Sequence, residues 1–167
     1  ELIHFSNQNF YDNNLVCITT NKHFEKSIEV IELPEATYNR EKGINEIEAN
    51  KVIQVLTNTI EKYKSGIVIT FNTKQAEHIE ILARENIMLR HMLNNNLLKV
   101  RSLENVQGDE GDIVILSTTF GKDKAGKFIQ NFGPVNQNGG MNRIKVMVNR
   151  AKSKRIVIKS FTANDVT

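Results

Sequence analysis

Residues 107–112 read QGDEGD and run straight into the apolar stretch DIVILST. Asp109, Glu110 and Asp112, spaced by Gly108 and Gly111, are residue types that can hold a hard cation, cradle a phosphate or make a tight turn. The surrounding pattern weighs against the first two. Calcium-loop spacing is absent, and no His-x-x-x-His or Cys/His set accompanies the acids, so no metal site is expected. The phosphate-loop pattern G-x-x-x-x-G-K-[ST] occurs nowhere in the 167 residues, and no apolar strand ends in an Asp-Glu pair. By composition alone, an acidic turn that solvates the start of a strand is the plainer reading.

The cations are distributed more tellingly than the acids. Net charge is only +3, but residues 143–159 (RIKVMVNRAKSKRIVIK) carry Arg143, Lys145, Arg150, Lys152, Lys154, Arg155 and Lys159 without a single acid. A solvated basic face and a phosphate-binding edge are equally good accounts of that run. Arg150 follows the apolar residues 144–148, where a guanidinium can project from a helix end towards a phosphate. A second basic stretch lies in residues 119–140 (TFGKDKAGKFIQNFGPVNQNGG), where Lys122, Lys124 and Lys127 are mixed with Phe120, Phe128 and Phe132. A connection this long is uncommon inside a compact domain. Such interleaving suits single-stranded nucleic acid, and it equally suits a loop pinned by its aromatics. Phe132 is read as an anchor, and residues 120–128 as a small hairpin around Gly126. His4, His23, His78 and His91 form no ligand pattern. Cys17 reads as a small buried residue. Ser6, Ser117 and Ser160 lie in no nucleophile elbow.

These residues need a scaffold, and the hydrophobic pattern supplies one. At 167 residues, 40% apolar and 25% charged, the chain suits one globular domain, expected to be an excised piece of a longer protein. With one cysteine and no bilayer-length apolar run, a reducing cytoplasm suits it and no membrane partner is expected. Strands are predicted near VCIT (16–19), SIEVIE before Pro34, IVITF (67–71), LLKVRSL (97–103), DIVILST (112–118) and RIVIKSF (155–161). Helices fall between them. One opens on an Asn45/Glu48 capping box and carries Ile47, Val52, Ile53, Val55, Leu56, Ile60 and Tyr63. The next is capped by Asn72 or Thr73, with Ala76, Ile79, Leu82 and Ala83 inward. Residues 86–96 either continue it or start another, and 143–148 are helical. Alternating strands and helices predict an α/β fold, a mostly parallel sheet with helices on both faces and right-handed crossovers.

Taken in order, several segments carry a resemblance. VRSLENVQGDEGDIVILS resembles motif V of superfamily 1 helicases, and NRIKVMVNRAKSK resembles their motif VI, departing from it at Lys145 and Asn149. NFGPVNQNGG between them is similar to a stretch found in a bacterial subgroup of helicase-like proteins. Upstream, GIVITFNTKQ, INEIEANKV and IHFSNQNFYDNNL resemble further segments of the same family. The resemblance spans nearly the whole chain. It implies the second RecA-like domain of a helicase motor, a P-loop NTPase-type fold without its own phosphate loop. The missing first domain of the same chain would be its partner, with ATP and Mg2+ between them and DNA or RNA, as a single strand, bound alongside. It implies Glu110 at the nucleotide sugar, Gly108 allowing close backbone approach, Gln107 as a turn and interdomain residue, Arg150 at the γ-phosphate and Arg143 linking motif VI to nucleotide or the facing domain. Thr70 and Gln75 fall where the family supports nucleic-acid or interdomain contacts.

Overall fold

The computed structural model describes residues 28–128, 132–136 and 150–165. The strand expected near 16–19, the helix expected over 143–148, and Arg143, Cys17, His4 and His23 lie outside them. Within the described residues the elements run β1 (Ile28–Glu32), α1 (Glu46–Thr59), β2 (Gly66–Thr70), α2 (Thr73–Glu85), α3 (Ile87–Asn94), β3 (Leu98–Ser102), β4 (Gly111–Gly121) and β5 (Ala151–Ser160). The five strands form one parallel sheet in the order β1-β5-β4-β2-β3.

The order follows from which face each connection covers. α1, α2 and α3 pack on one face, where Val52, Leu56, Ile79, Ala83 and Leu89 meet Val68, Val100, Ile113, Ile115, Ile156 and Ile158. The other face buries Ile67, Ile69, Val114, Leu116 and Val157 under Leu103, Val106, Phe132 and Val135. The steps β1 to β2 and β2 to β3 move one way across the sheet and carry helices on the first face. The steps β3 to β4 and β4 to β5 move back, and their described residues lie on the second face. For the described residues, opposite direction on the opposite face fits a single hand, as twisted strands require. The result is an α/β fold with a parallel sheet flanked by helices. All three α-helices of the described residues lie on the first face. β2 is buried along its whole length, which is why GIVIT reads as continuous apolar sequence rather than as alternation.

Helix starts follow the Asn residues. Asn45, Asn72 and Asn86 each accept a hydrogen bond from the backbone N–H three residues on, at 3.1, 2.8 and 3.1 Å. Asn72, not Thr73, caps α2, and Asn86 makes α3 a separate helix. The expected capping box is only half formed. Glu48 does not reach back to the Asn45 N–H, which instead donates to Gln75 Oε1 at 2.8 Å. Ile47, expected inside, is 40% exposed. The last two strands also outrun their predictions: β4 continues to Gly121 and β5 begins at Ala151. Parallel pairing on both sides of β4 holds polar residues such as Ser117 and Lys154 in the ladder, which local apolar pattern cannot anticipate.

Residues 122–128 fold as the expected hairpin turn. Asp123 N–H donates to Lys127 O, Asp123 Oδ1 accepts from the Ala125 and Lys127 N–H groups, and Gly126 has φ +77°. The aromatics turn inward. Phe132 is 3% exposed and meets Phe71, Phe120, Phe128 and Phe161 with ring centroids 5.5–6.5 Å apart. The anchoring role therefore extends from Phe132 to Phe120 and Phe128, which leaves the lysines of this loop without interleaved rings.

Candidate functional site

Two polar centres sit at opposite ends of the sheet. The one at the amino ends of β4 and β5 gathers the motif-like segments. A parallel crossover normally spends a dozen or more residues, often a helix. The step from β3 to β4 takes eight, residues 103–110, and no helix. Leu103 N–H donates to Thr70 O at 2.9 Å, Leu103 and Val106 bury on the second face, and the chain then emerges at Gln107. Gln107, Gly108 and Glu110 are exposed. Gly108 adopts φ +81° with nothing within 4 Å of an added Cβ, so its conformation, not crowding, calls for glycine. Gly111 is tighter: a Cβ there would meet Ile67 Cγ1 at 3.1 Å and Ile113 O at 3.2 Å.

The Gly111 N–H donates to Arg150 O at 3.0 Å, and Gly111 pairs with Ala151 in the sheet. One backbone contact thus joins the QGDEGD turn to the second arginine of the segment NRIKVMVNRAKSK. Glu110 faces Lys152 at 3.5 Å, both side chains more than half exposed, a pairing of little energetic weight. Glu110 is therefore free to exchange this partner for a ligand hydroxyl. Arg150 is half-buried, and its Nε is buried without a hydrogen-bond partner. A buried guanidinium N–H without an acceptor is costly unless an anion completes it.

The remaining acids of the turn do structural work. Asp112 Oδ2 accepts from the Lys64 N–H at 3.1 Å while its own N–H donates to Ser65 Oγ, fastening the strand start to the segment before β2. Asp109, which composition reads as solvated, is only 17% exposed and pairs with Lys99 at 2.6 Å and Arg101 at 3.1 Å. Partial desolvation pushes its carboxyl up, but the two cations outweigh this and hold it below the usual carboxylate range. Among the described residues no group of three His, Cys, Asp or Glu side chains converges as a metal site would need. No described helix is long and apolar enough to cross a membrane.

The second centre lies at the carboxyl ends and is closed. The Glu48 side chain is fully buried and accepts from Ser117 Oγ at 2.5 Å, Ser160 Oγ at 2.5 Å, Thr119 N at 2.7 Å and Thr118 Oγ1 at 3.1 Å. A shift of register in β4 between Ser117 and Gly121, with Thr119 at φ +68°, turns that N–H inward. A β-branched residue at positive φ is strained, and here the strain delivers a donor to a buried carboxylate. Burial pushes the Glu48 carboxyl up, against the pull of its four donors. Asn45 Nδ2 adds bonds to Ser160 Oγ and Thr119 O, and Gln75 Nε2 to Asn45 O and Ser117 Oγ.

This centre accounts for two residues expected at a nucleic-acid or interdomain surface. Gln75 and Thr70 are both 0% exposed; the Gln75 amide is consumed by α1 and β4, and Thr70 Oγ1 donates to Asn72 O at 2.6 Å. Neither side chain reaches solvent. Lys122 is tied to Asp165 at 2.6 Å, whereas Lys124 and Lys127 are exposed. Sequence reasoning missed the Glu48 network and the Asp109 pairs. The available signal was the polar run Ser117-Thr118-Thr119 closing an apolar strand, which needs a buried partner once the strand is central.

A parallel α/β sheet flanked by helices, in residues without a phosphate-loop pattern, is consistent with a RecA-like, P-loop NTPase-type fold. The chain belongs to the AAA domain family, whose model matches residues 1–161. It is similar to an uncharacterized ATP-dependent helicase homologue of Mycoplasma pneumoniae, 32% identical over 176 residues and 98% of this chain. It is also similar to an uncharacterized ATP-dependent helicase of Mycoplasma genitalium, 32% identical over 177 residues and 99% of this chain. The chain spans 15% of the length of each of these relatives.

Proposed function

We propose that this chain is the second RecA-like domain of a superfamily 1 helicase, contributing half of an ATP site whose other half belongs to a first RecA-like domain of the same protein. The observation that carries the reading is the Gly111–Arg150 backbone bond, because it brings the motif V-like turn and the motif VI-like arginine to one open edge. The unpartnered Arg150 Nε supports it as a group awaiting an anion. The relatives described as ATP-dependent helicases support the reaction class.

ATP, bound with Mg2+ in the interdomain cleft, supplies the phosphoryl group. Arg150 neutralises charge developing on that group, and Glu110 accepts from a ribose hydroxyl in place of Lys152. Gly108 holds the turn conformation that presents Glu110, with Gln107 beside it facing the first domain. Arg143 acts from the segment just before Arg150. No residue here is assigned to Mg2+. Cleft closure and reopening would carry this domain along a single strand of DNA or RNA. Lys124 and Lys127 are its exposed phosphate contacts, Lys122 contributing only if it leaves Asp165. Thr70 and Gln75 support that surface from beneath, by fixing the start of α2.

Arg150→Ala in the full-length protein tests the reading. ATP turnover should fall by about 10³-fold, the scale on which such arginines act, with ATP affinity changed far less. Turnover at the wild-type rate would end the assignment. Lys124→Ala and Lys127→Ala should each lower the salt dependence of nucleic-acid binding by about one unit of log–log slope.

A further inference from the structure

Between Val106 and Gly111 the crossover runs over the rim of the sheet with little to hold it. Gln107, Gly108 and Glu110 are exposed, and the described residues give neither the Gln107 side chain nor the Gln107 and Gly108 backbone a hydrogen bond. The Glu110–Lys152 pair is long and solvated. A four-residue segment with a positive-φ glycine in it should sample many conformations. Yet for Glu110 to meet a ligand beside Arg150, it must sit still.

Asp109 is the exception in this segment. Its two carboxylate oxygens are divided between two cations of β3: Oδ1 takes Lys99 Nζ at 2.6 Å and Oδ2 takes Arg101 Nε at 3.1 Å. Lys99 and Arg101 alternate with Leu98, Val100 and Ser102, whose side chains are buried, so both cations project on the face crossed by residues 103–110. Arg101 is itself steadied by a 3.0 Å bond from Nη1 to Val100 O. Two charge-assisted bonds from a regular strand, with the carboxylate 17% exposed, make a directional tether and not a loose surface pair. On the far side of Glu110 the Gly111–Arg150 bond makes a second tether. Glu110 is thus strung between two fixed points one residue away on either side.

We infer that Asp109 is a positioning residue: clamped by Lys99 and Arg101, it sets the turn that aims Glu110 along the edge shared with Arg150. The inference rests on the reading of Glu110 as the ribose-facing residue, and it assigns to β3, far from the proposed nucleotide, a part in holding that nucleotide. Asp109 touches no ligand; it acts through Glu110, so its effect must vanish when the Glu110 carboxylate is removed.

A double-substitution cycle in the full-length protein tests this, with the KM for ATP as the readout. Glu110→Ala should raise KM. Asp109→Ala should raise it by about 3- to 10-fold, the scale of losing one well-placed hydrogen bond, with kcat nearly unchanged. Asp109→Asn should behave like Asp109→Ala, because the clamp needs charge. The double substitution should match Glu110→Ala alone. Multiplying effects, or a wild-type KM in Asp109→Ala, would overturn the inference. Amide hydrogen exchange separates it from the function it rests on. Asp109→Ala should speed exchange of residues 107–110 at least 10-fold and leave Ile113–Leu116 protected. If Glu110→Ala leaves KM unchanged, the ribose assignment falls. Faster exchange would then still establish the clamp, and unchanged exchange would refute it.

Discussion

The two ends of the sheet spend polar residues in opposite ways. At the carboxyl ends, Glu48 lies fully buried with four donors, and Asn45 and Gln75 extend the network until α1, α2, β4 and β5 are locked together. At the amino ends, Glu110 stands exposed beside a solvated lysine and Arg150 keeps a buried N–H without an acceptor. In open α/β sheets ligands usually gather beyond the carboxyl ends of the strands. Here the carboxyl ends of β4 and β5 are filled by their own side chains, and the unpaired guanidinium N–H lies at their amino ends. On the proposed reading, in which the domain supplies one wall of a shared site, an incomplete wall is what the other domain would complete.

The largest test of this contrast is at the open end. Arg150→Ala should remove about 10³-fold of ATP turnover in the full-length protein while the unfolding temperature holds, because among the described residues no hydrogen bond or ion pair is made by that guanidinium. A collapse of stability instead would place Arg150 among the structural residues and erase the contrast.

At the closed end the sign should reverse. Glu48→Ala strands the hydroxyls of Ser117, Thr118 and Ser160 and the Thr119 N–H, and should cost roughly 3 kcal/mol or more by urea unfolding. A cost near zero would mean that the hydroxyls re-pair without the carboxylate.

Gly108→Ala is a smaller probe, of the open turn alone. With φ +81° and free space around the added methyl, it should cost about 1 kcal/mol, all of it conformational. Proteolysis within residues 107–110 should report it sooner than global unfolding.

The finest discrimination comes from pH. The folded-state pKa of Glu48 is raised, so the folded protein binds its proton more tightly than the unfolded chain does. Stability should therefore rise as pH falls through that raised pKa towards the ordinary glutamate value, and be lost again on going back up. Glu48→Gln should lack this component, so the wild type should gain on it as pH falls. Asp109, held low by Lys99 and Arg101, runs the other way: its contribution is present above the unfolded-chain pKa and fades as pH drops through the depressed one. Measuring Glu48→Gln and Asp109→Asn across the same acid range should separate the two by sign.

Much of the fold was legible locally. Asn caps three residues ahead of a helix turn, apolar strands and a glycine-bearing hairpin are short-range patterns, and Asn72, Asn86, GIVIT and Gly126 obeyed them. The open site was legible in a different way. Composition offered only an acidic turn and a projecting arginine; Gly108, Glu110 and Arg150 were singled out by the resemblance of their segments to helicase motifs. Asn45 and Glu48 looked like a capping box because local sequence offers Glu48 only the nearest N–H. The side chain instead found four donors from residues 69 to 112 positions away.

The sequence by itself determined the alternation of strand and helix and the lack of a phosphate-loop pattern in these residues. Which polar groups face each other was decided only by the tertiary structure. Parallel pairing sets β4 against both β2 and β5, brings Gly111 to Arg150, drops Glu48 between two strand ends and stretches an eight-residue crossover until Asp109 lies over Lys99 and Arg101. A buried carboxylate and a solvated one are the same letter in a chain. Long-range packing alone fixes whether water or a ring of hydroxyls answers it.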